Sequence, residues 1–109
     1  MSFWIAAARV EMRLPFATSL KDRRHVVRSI TDGVRSRFAV SAADLGPNGV
    51  YNAAVIGFAA AGSSATELEE RMDNLERFLY QREETGEFTI DGFTPEVFKY
   101  DDISDREDK

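Results

Sequence analysis

The sequence predicts an α+β fold in the order β-α-β-β-α-β, with a four-stranded antiparallel sheet carrying two helices on one face. Three observations predict it. Residues 3–14 alternate apolar and polar positions with a period of two, the spacing of a strand. Two segments, opening at Ser19 and Ser64, repeat apolar residues at helical spacing behind serines suited to N-capping. The remaining stretches are short, rich in Ala, Val, Ile and Phe, and bounded by Gly and Pro.

In residues 3–14, Trp4, Ala6, Ala8, Val10, Met12 and Leu14 share one face, and Phe3, Ile5, Ala7, Arg9, Glu11 and Arg13 share the other. Pro15 ends this strand. Ser19 starts the first helix, and Asp22 suits its first turn. Leu20, Val27, Ile30, Val34 and Phe38 form its apolar face. Gly33 weakens this helix by roughly 1 kcal/mol relative to alanine, which points to close packing there. Ala39–Leu45 reads as the second strand, Gly46-Pro-Asn-Gly49 as a hairpin turn, and Tyr51–Ala61 as the third strand. Ser64-Ala-Thr-Glu67 is a capping box, and Ala65, Leu68, Met72, Leu75 and Leu79 make the buried stripe of a helix with an acidic outer surface. Gly86 closes it. Glu87–Asp91 and Glu96–Tyr100 read as two pieces of a fourth strand, separated by Gly92 and Pro95. Two right-handed β-α-β crossovers then give the split, ferredoxin-like arrangement. Residues 1–100 are expected to form a single domain, with 101–109 a disordered acidic tail.

Composition excludes several chemistries. The 109 residues contain no cysteine, so disulfides, thiolate zinc sites and cysteine nucleophiles are ruled out. Only one histidine, His25, is present, and no serine and acid partner is identifiable beside it. Asp101, Asp102, Asp105 and Asp108 are too poorly spaced for a metal cage. Gly57-x-x-x-x-Gly62-Ser63-Ser64 approaches a phosphate-binding loop, but Ser63 stands where that loop needs lysine. Neither an acid–base pair nor a cofactor motif can be placed, so the expectation is a non-enzyme with no cofactor and no metal. Leu45–Thr66 lacks charge, but its strongly apolar part, Ala53–Ala61, is too short for a bilayer, which needs about 20 residues. The N-terminus lacks the basic region of a signal peptide, so a cytoplasmic location is the expectation.

Charge supplies the binding candidates. Residues 1–43 carry 8 Lys/Arg against 3 Asp/Glu, net +5, while residues 44–109 carry 6 against 16, net -10. The halves either neutralise each other across the fold or mark an electrostatic function. On the first helix, Lys21, Arg24, Arg28 and Arg35 fall within about 60° of arc at 3.6 residues per turn. Arginine forks match phosphate oxygens. Arg9, Arg13 and Arg37 are candidates to extend the patch. Arg23 falls in the apolar sector, so it either snorkels or pairs internally. The open sheet face holds Phe3, Tyr51 and Phe58, but Ala7, Ala53 and Ala59 dominate it. It suits packing between subunits at least as well as base stacking.

Val10-Glu-Met-Arg-Leu-Pro15, Ser19-Leu-Lys-Asp-Arg-Arg24 with Val26-Val27, Arg37-Phe-Ala-Val-Ser-Ala-Ala-Asp44 and Tyr51-Asn-Ala-Ala-Val-Ile-Gly57 together resemble the domain of unknown function 503, a YlxP-like bacterial family. The resemblance covers about residues 3–90 and implies a small, cysteine-free, ferredoxin-like protein with no established activity. Members often lie near genes of translation initiation and ribosome maturation, which implies ribosome or RNA association. The family's basic positions fall on Lys21, Arg23 and Arg24. The turn at Leu45–Gly49 and the acidic C-terminus depart from its pattern. Two functional expectations follow. One is a non-enzymatic accessory factor that contacts ribosomal RNA or the ribosome through Lys21, Arg23, Arg24, Arg28 and Arg35. The alternative is a homo-oligomeric protein-interaction module, a homodimer in its simplest form, with no nucleic-acid role.

Overall fold

The computed structural model describes residues 2–101; of the acidic tail expected over 101–109, residues 102–109 lie outside them. The elements follow the expected order: β1 (Phe3–Arg13), α1 (Leu20–Arg37), β2 (Ser41–Gly46), β3 (Ala53–Gly62), α2 (Ala65–Glu83) and β4 (Thr89–Tyr100). They form one four-stranded antiparallel sheet with strand order β2-β3-β1-β4. Each helix bridges two strands that have another strand between them. This is the ferredoxin-like α+β fold.

The period-two face of β1 is the inner face. Ala6, Ala8, Val10 and Met12 are buried, and Leu14 continues the row. Val27, Ile30 and Val34 of α1 and Leu68, Met72, Leu75 and Leu79 of α2 cover it. Gly33 is the expected close approach. A Cβ there would lie 3.3 Å from Phe78, whose ring meets Phe38 edge-on at 5.6 Å.

Both helix starts are capped by the expected serines. Ser19 Oγ accepts from the Asp22 amide at 3.1 Å, and Ser64 Oγ accepts from the Glu67 amide at 3.3 Å. The first start is doubly tied, because the Asp22 carboxylate accepts from Thr18 N–H and Oγ–H at 3.0 and 2.9 Å. At the second, only half of the capping box forms. Glu67 turns to Arg71, one helical turn on, at 3.2 Å rather than back to Ser64.

Four expectations are corrected. β4 is continuous from Thr89 to Tyr100 rather than two pieces. It is an edge strand, where proline needs no ladder donor on its outer side, so Pro95 pairs opposite Ala8 without ending it. Near Gly92 the ladder bulges, with Glu11 opposite Gly92 and Met12 opposite Ile90, leaving Asp91 as the extra residue. Phe58 belongs to the core at 3% exposure, because β3 registers it against Ala8 of the inner row. Leu20 is 48% exposed, one residue past the cap and beyond the reach of the sheet. The expected Asn48-Gly49 turn sits inside a longer β2–β3 loop, residues 47–52, entered through Gly46 at φ 101°.

Leu75 is fully buried between α2 and the sheet. Leu75→Ala should cost about 2–5 kcal/mol of unfolding free energy, read as a lower urea midpoint at unchanged slope.

Candidate functional site

The first half of α1 lies over the β2–β3 edge of the sheet, and Arg23 fastens it there. Only 8% of Arg23 is exposed. Its guanidinium donates to both carboxylate oxygens of Asp44, Nη1 to Oδ2 at 2.8 Å and Nη2 to Oδ1 at 3.0 Å. Nε donates to the Ala53 carbonyl at 2.8 Å, and Nη2 also donates to the Gly46 carbonyl at 3.0 Å. The Gly46 amide in turn donates to Asp44 Oδ1 at 2.9 Å. One side chain of α1 thus ties down β2, β3 and the start of their loop. Of the two roles left open by its position, internal pairing is the one the structure adopts. Arg23 therefore drops out of the expected RNA-binding set, because its donors face inward and are already engaged.

This pair sets the charge states of its members. Hydrogen bonding to Asp44 raises the Arg23 pKa, against the cost of burial. The Asp44 pKa is lowered, chiefly by the hydrogen bonds from Arg23 and with help from the Gly46 amide, against partial burial. The Asp22 pKa is lowered as well, first by the Thr18 amide and then by the Thr18 hydroxyl.

With Arg23 pinned inward, Arg24 and Arg28 project outward beside it. Both are exposed, and neither side chain makes a hydrogen bond or ion pair with another described residue. Lys21 is also exposed. Arg35 is partly engaged: Nη2 donates to the Ala42 carbonyl at 2.7 Å, and Nη1 lies 3.7 Å from Asp32. Arg24, Arg28 and Arg35 rim a shallow cleft of about 270 Å³ between α1 and β2, with Asp32 and Asp44 on its margin and buried Thr31 at its base. The arrangement is a line of guanidinium groups suited to phosphate oxygens, spaced along a helix and open to solvent.

The other expected contributors lie elsewhere. Arg9 and Arg13 are on the opposite face of the sheet, paired with Glu11 at 3.5 Å and Asp91 at 2.9 Å. Arg37 stacks over Phe78 at 5.1 Å. Gly57 and Gly62 serve packing. A Cβ on Gly57 would come 3.0 Å from Leu45, and one on Gly62 would come 3.3 Å from Leu68. Ser64 is spent as the α2 cap.

The structure also redraws the open sheet face that the residue patterns singled out, and shows one surface that they did not. The open sheet face is apolar at one end. Phe3 pairs with Tyr100, Ile5 lies between Ala61 and Phe98, and Ala7 lies between Ala59 and Glu96. Phe98 and Tyr100 fall in the expected strand piece Glu96–Tyr100, but only the pairing with β1 sets which face they share. The second surface is a cleft of about 450 Å³ beside Phe16, reaching Lys21 and His25 of α1 and Gly86 beyond α2. Its one legible signal is an aromatic directly after Pro15, outside any apolar stripe.

The family model described as "Protein of unknown function (DUF503)" matches residues 5–90, and the chain belongs to that family. No curated protein matches it. Among the described residues no helix is long and apolar enough to cross a membrane, and no three His, Asp or Glu side chains stand together as a metal site.

Arg23→Ala should cost about 1–3 kcal/mol, because it leaves the Ala53 and Gly46 carbonyls without their donor, while the Asp44 carboxylate, its side chain 41% exposed, regains water. Thermal or urea unfolding reads this directly. Because the folded pKa of Asp44 is depressed, its stabilisation is present above the ordinary aspartate value of about 4 and is lost as pH falls through the lower, folded value. Asp44→Asn should flatten that acid limb of the melting-temperature profile, and an unchanged limb would assign it to Asp22 or another carboxylate.

Proposed function

We propose that this DUF503-family protein is a cytoplasmic, non-enzymatic accessory factor that contacts ribosomal RNA through the outer line of α1. Lys21, Arg24 and Arg28 make the phosphate contacts, with Arg35 supporting them. The observation that carries this reading is the contrast within α1. Arg23, one residue from Arg24, is fully committed to the fold, while Arg24 and Arg28 remain exposed with no partner among the described residues. Arginines without an internal partner have all their donors available to phosphate oxygens, and one helix fixes the spacing of their stems. The genomic neighbourhood typical of the resembling family points the same way. Contacts of this type read the backbone rather than the sequence, so the protein binds RNAs of different sequence with similar affinity.

A second reading rests on the apolar end of the open face. Phe3, Ile5, Ala7, Ala59, Ala61 and Phe98 form a surface without a charge among them. Beyond it, Arg9–Glu11 and Arg13–Asp91 are internally paired, which leaves Glu96 as the face's unbalanced charge. Two copies of a net-negative chain meet there with like-charge repulsion confined to Glu96 at the border, and bury the apolar rows against each other. The resulting homodimer leaves α1 on its outer side and is compatible with RNA contact.

Fluorescence anisotropy with a labelled single-stranded oligoribonucleotide tests the first reading. Arg24→Glu with Arg28→Glu should weaken binding more than tenfold for every sequence and reduce the log–log salt slope by about 1.4, at about 0.7 per phosphate contact. Unchanged binding would refute it. For the second reading, light scattering should give a dimer mass at tens of micromolar, and a monomer mass for Ile5→Glu or Phe98→Glu with the circular dichroism retained. A monomeric wild type at high micromolar concentration would refute that reading.

A further inference from the structure

We propose that the cleft beside Phe16 is a nucleobase-binding site, in which an unpaired base stacks on the Phe16 ring while its phosphate is reached from Lys21 and Arg24. The proposal deepens the RNA reading and rests on it for the biological occupant: a single-stranded segment with a splayed base rather than a duplex.

Phe16 is 78% exposed, the most exposed large apolar side chain among the described residues, and it contributes nothing to the core. It is nevertheless held on a well-fixed turn. Pro15 precedes it, the Leu14 amide donates to Asn52 O at 2.9 Å, and the Ala17 amide donates to Leu14 O at 3.3 Å. Thr18 is clamped to Asp22 through two hydrogen bonds. A ring displayed at such exposure on an ordered backbone pays little entropy when a flat partner covers it, and base–aromatic stacking contributes about 1–3 kcal/mol per base.

The cleft has suitable size and lining. Its volume of about 450 Å³ lies within the usual range for small-ligand pockets, about 300–1,000 Å³. Val26 adds apolar surface on the α1 side. The far wall is the turn after α2, fixed by the Gly86 amide donating to Glu83 O at 3.0 Å and anchored by the buried Phe88. Gly86 leaves this wall open, since no atom lies within 4 Å of where a Cβ would stand.

The polar groups discriminate between ligand classes. Lys21 and His25 offer donors, while Glu87 and Asp22 place carboxylates at the same rim. A bare phosphate in the cleft would meet those carboxylates. A nucleobase edge carries both donors and acceptors and suits the mixture. Lys21 joins the two surfaces: it lines this cleft and begins the cationic line, with Arg24 one helical turn along. A base in the cleft therefore leads its own backbone onto the arginines.

The test is a ¹⁵N NMR titration of the full chain with AMP, UMP and ribose 5-phosphate, in wild type, Phe16→Ala and Phe16→Tyr. The expected result is saturable shifts at the amides of Ala17, Lys21, His25, Val26 and Gly86 with AMP, and weaker ones with UMP. Phe16→Ala should weaken the AMP affinity at least fivefold, and Phe16→Tyr should keep it. Ribose 5-phosphate should leave these amides unmoved. No shifts with either nucleotide, equal shifts from ribose 5-phosphate, or unchanged affinity in Phe16→Ala would overturn the proposal. The RNA reading is judged separately, because its arginines can still hold an oligoribonucleotide when the cleft binds no mononucleotide.

Discussion

The guanidinium of Arg23 fixes the azimuth of α1 on the sheet, and the placement of every other charge on that helix follows from it. Its donors reach Asp44 on β2, Ala53 on β3 and Gly46 at the mouth of their loop. An ion pair with a buried guanidinium and an exposed carboxylate is a poor source of net stability, since desolvation of the arginine offsets much of the Coulomb gain. Its value here is geometric. A leucine at the same position would fill the space but leave the helix freer to roll. With Arg23 held inward, successive 100° steps carry Arg24, Arg28 and Lys21 to the outer flank. The same anchor keeps the β1–α1 turn, and therefore Phe16, beside the first turn of the helix.

The charge asymmetry of the chain acquires a structural meaning. Part of the excess cation in residues 1–43 is neutralised across the fold, as Arg23 meets Asp44 and Arg13 meets Asp91. Arg71 and Arg82, from the acidic half, are likewise drawn into internal contacts with Ala39 O and Ser29 Oγ. Arg24 and Arg28 stay outside this network. An acidic protein therefore presents a local cationic line. Its association with a polyanion must work against the net charge of -5 and be steeply sensitive to salt.

Where local rules dominate, residues and structure agree. The alternation in β1, the two serine caps, Gly33 at a close approach and the split topology were all readable, because each depends on spacing or on backbone chemistry within a few residues. The departures come from tertiary context. Pro95 breaks a central strand but not an edge strand, and edge position is a property of the sheet. Phe58 changes face with a register that only the pairing to β1 sets. Arg23 could be located in the apolar sector, but its partner lies 21 residues away and could not be named. Phe16 makes no periodic pattern, so its display was invisible until the turn was folded. The candidate site was thus legible in its residue types and helix face, while the division between anchoring and outward arginines was not.

The most direct test of the central claim is sedimentation of the tagged protein with ribosomal subunits from its own lysate, at low and high salt. The account predicts that the protein travels with a subunit fraction at low salt and is released at high salt, as expected for contacts through Lys21, Arg24 and Arg28. Protein remaining at the top of the gradient under both conditions would contradict it.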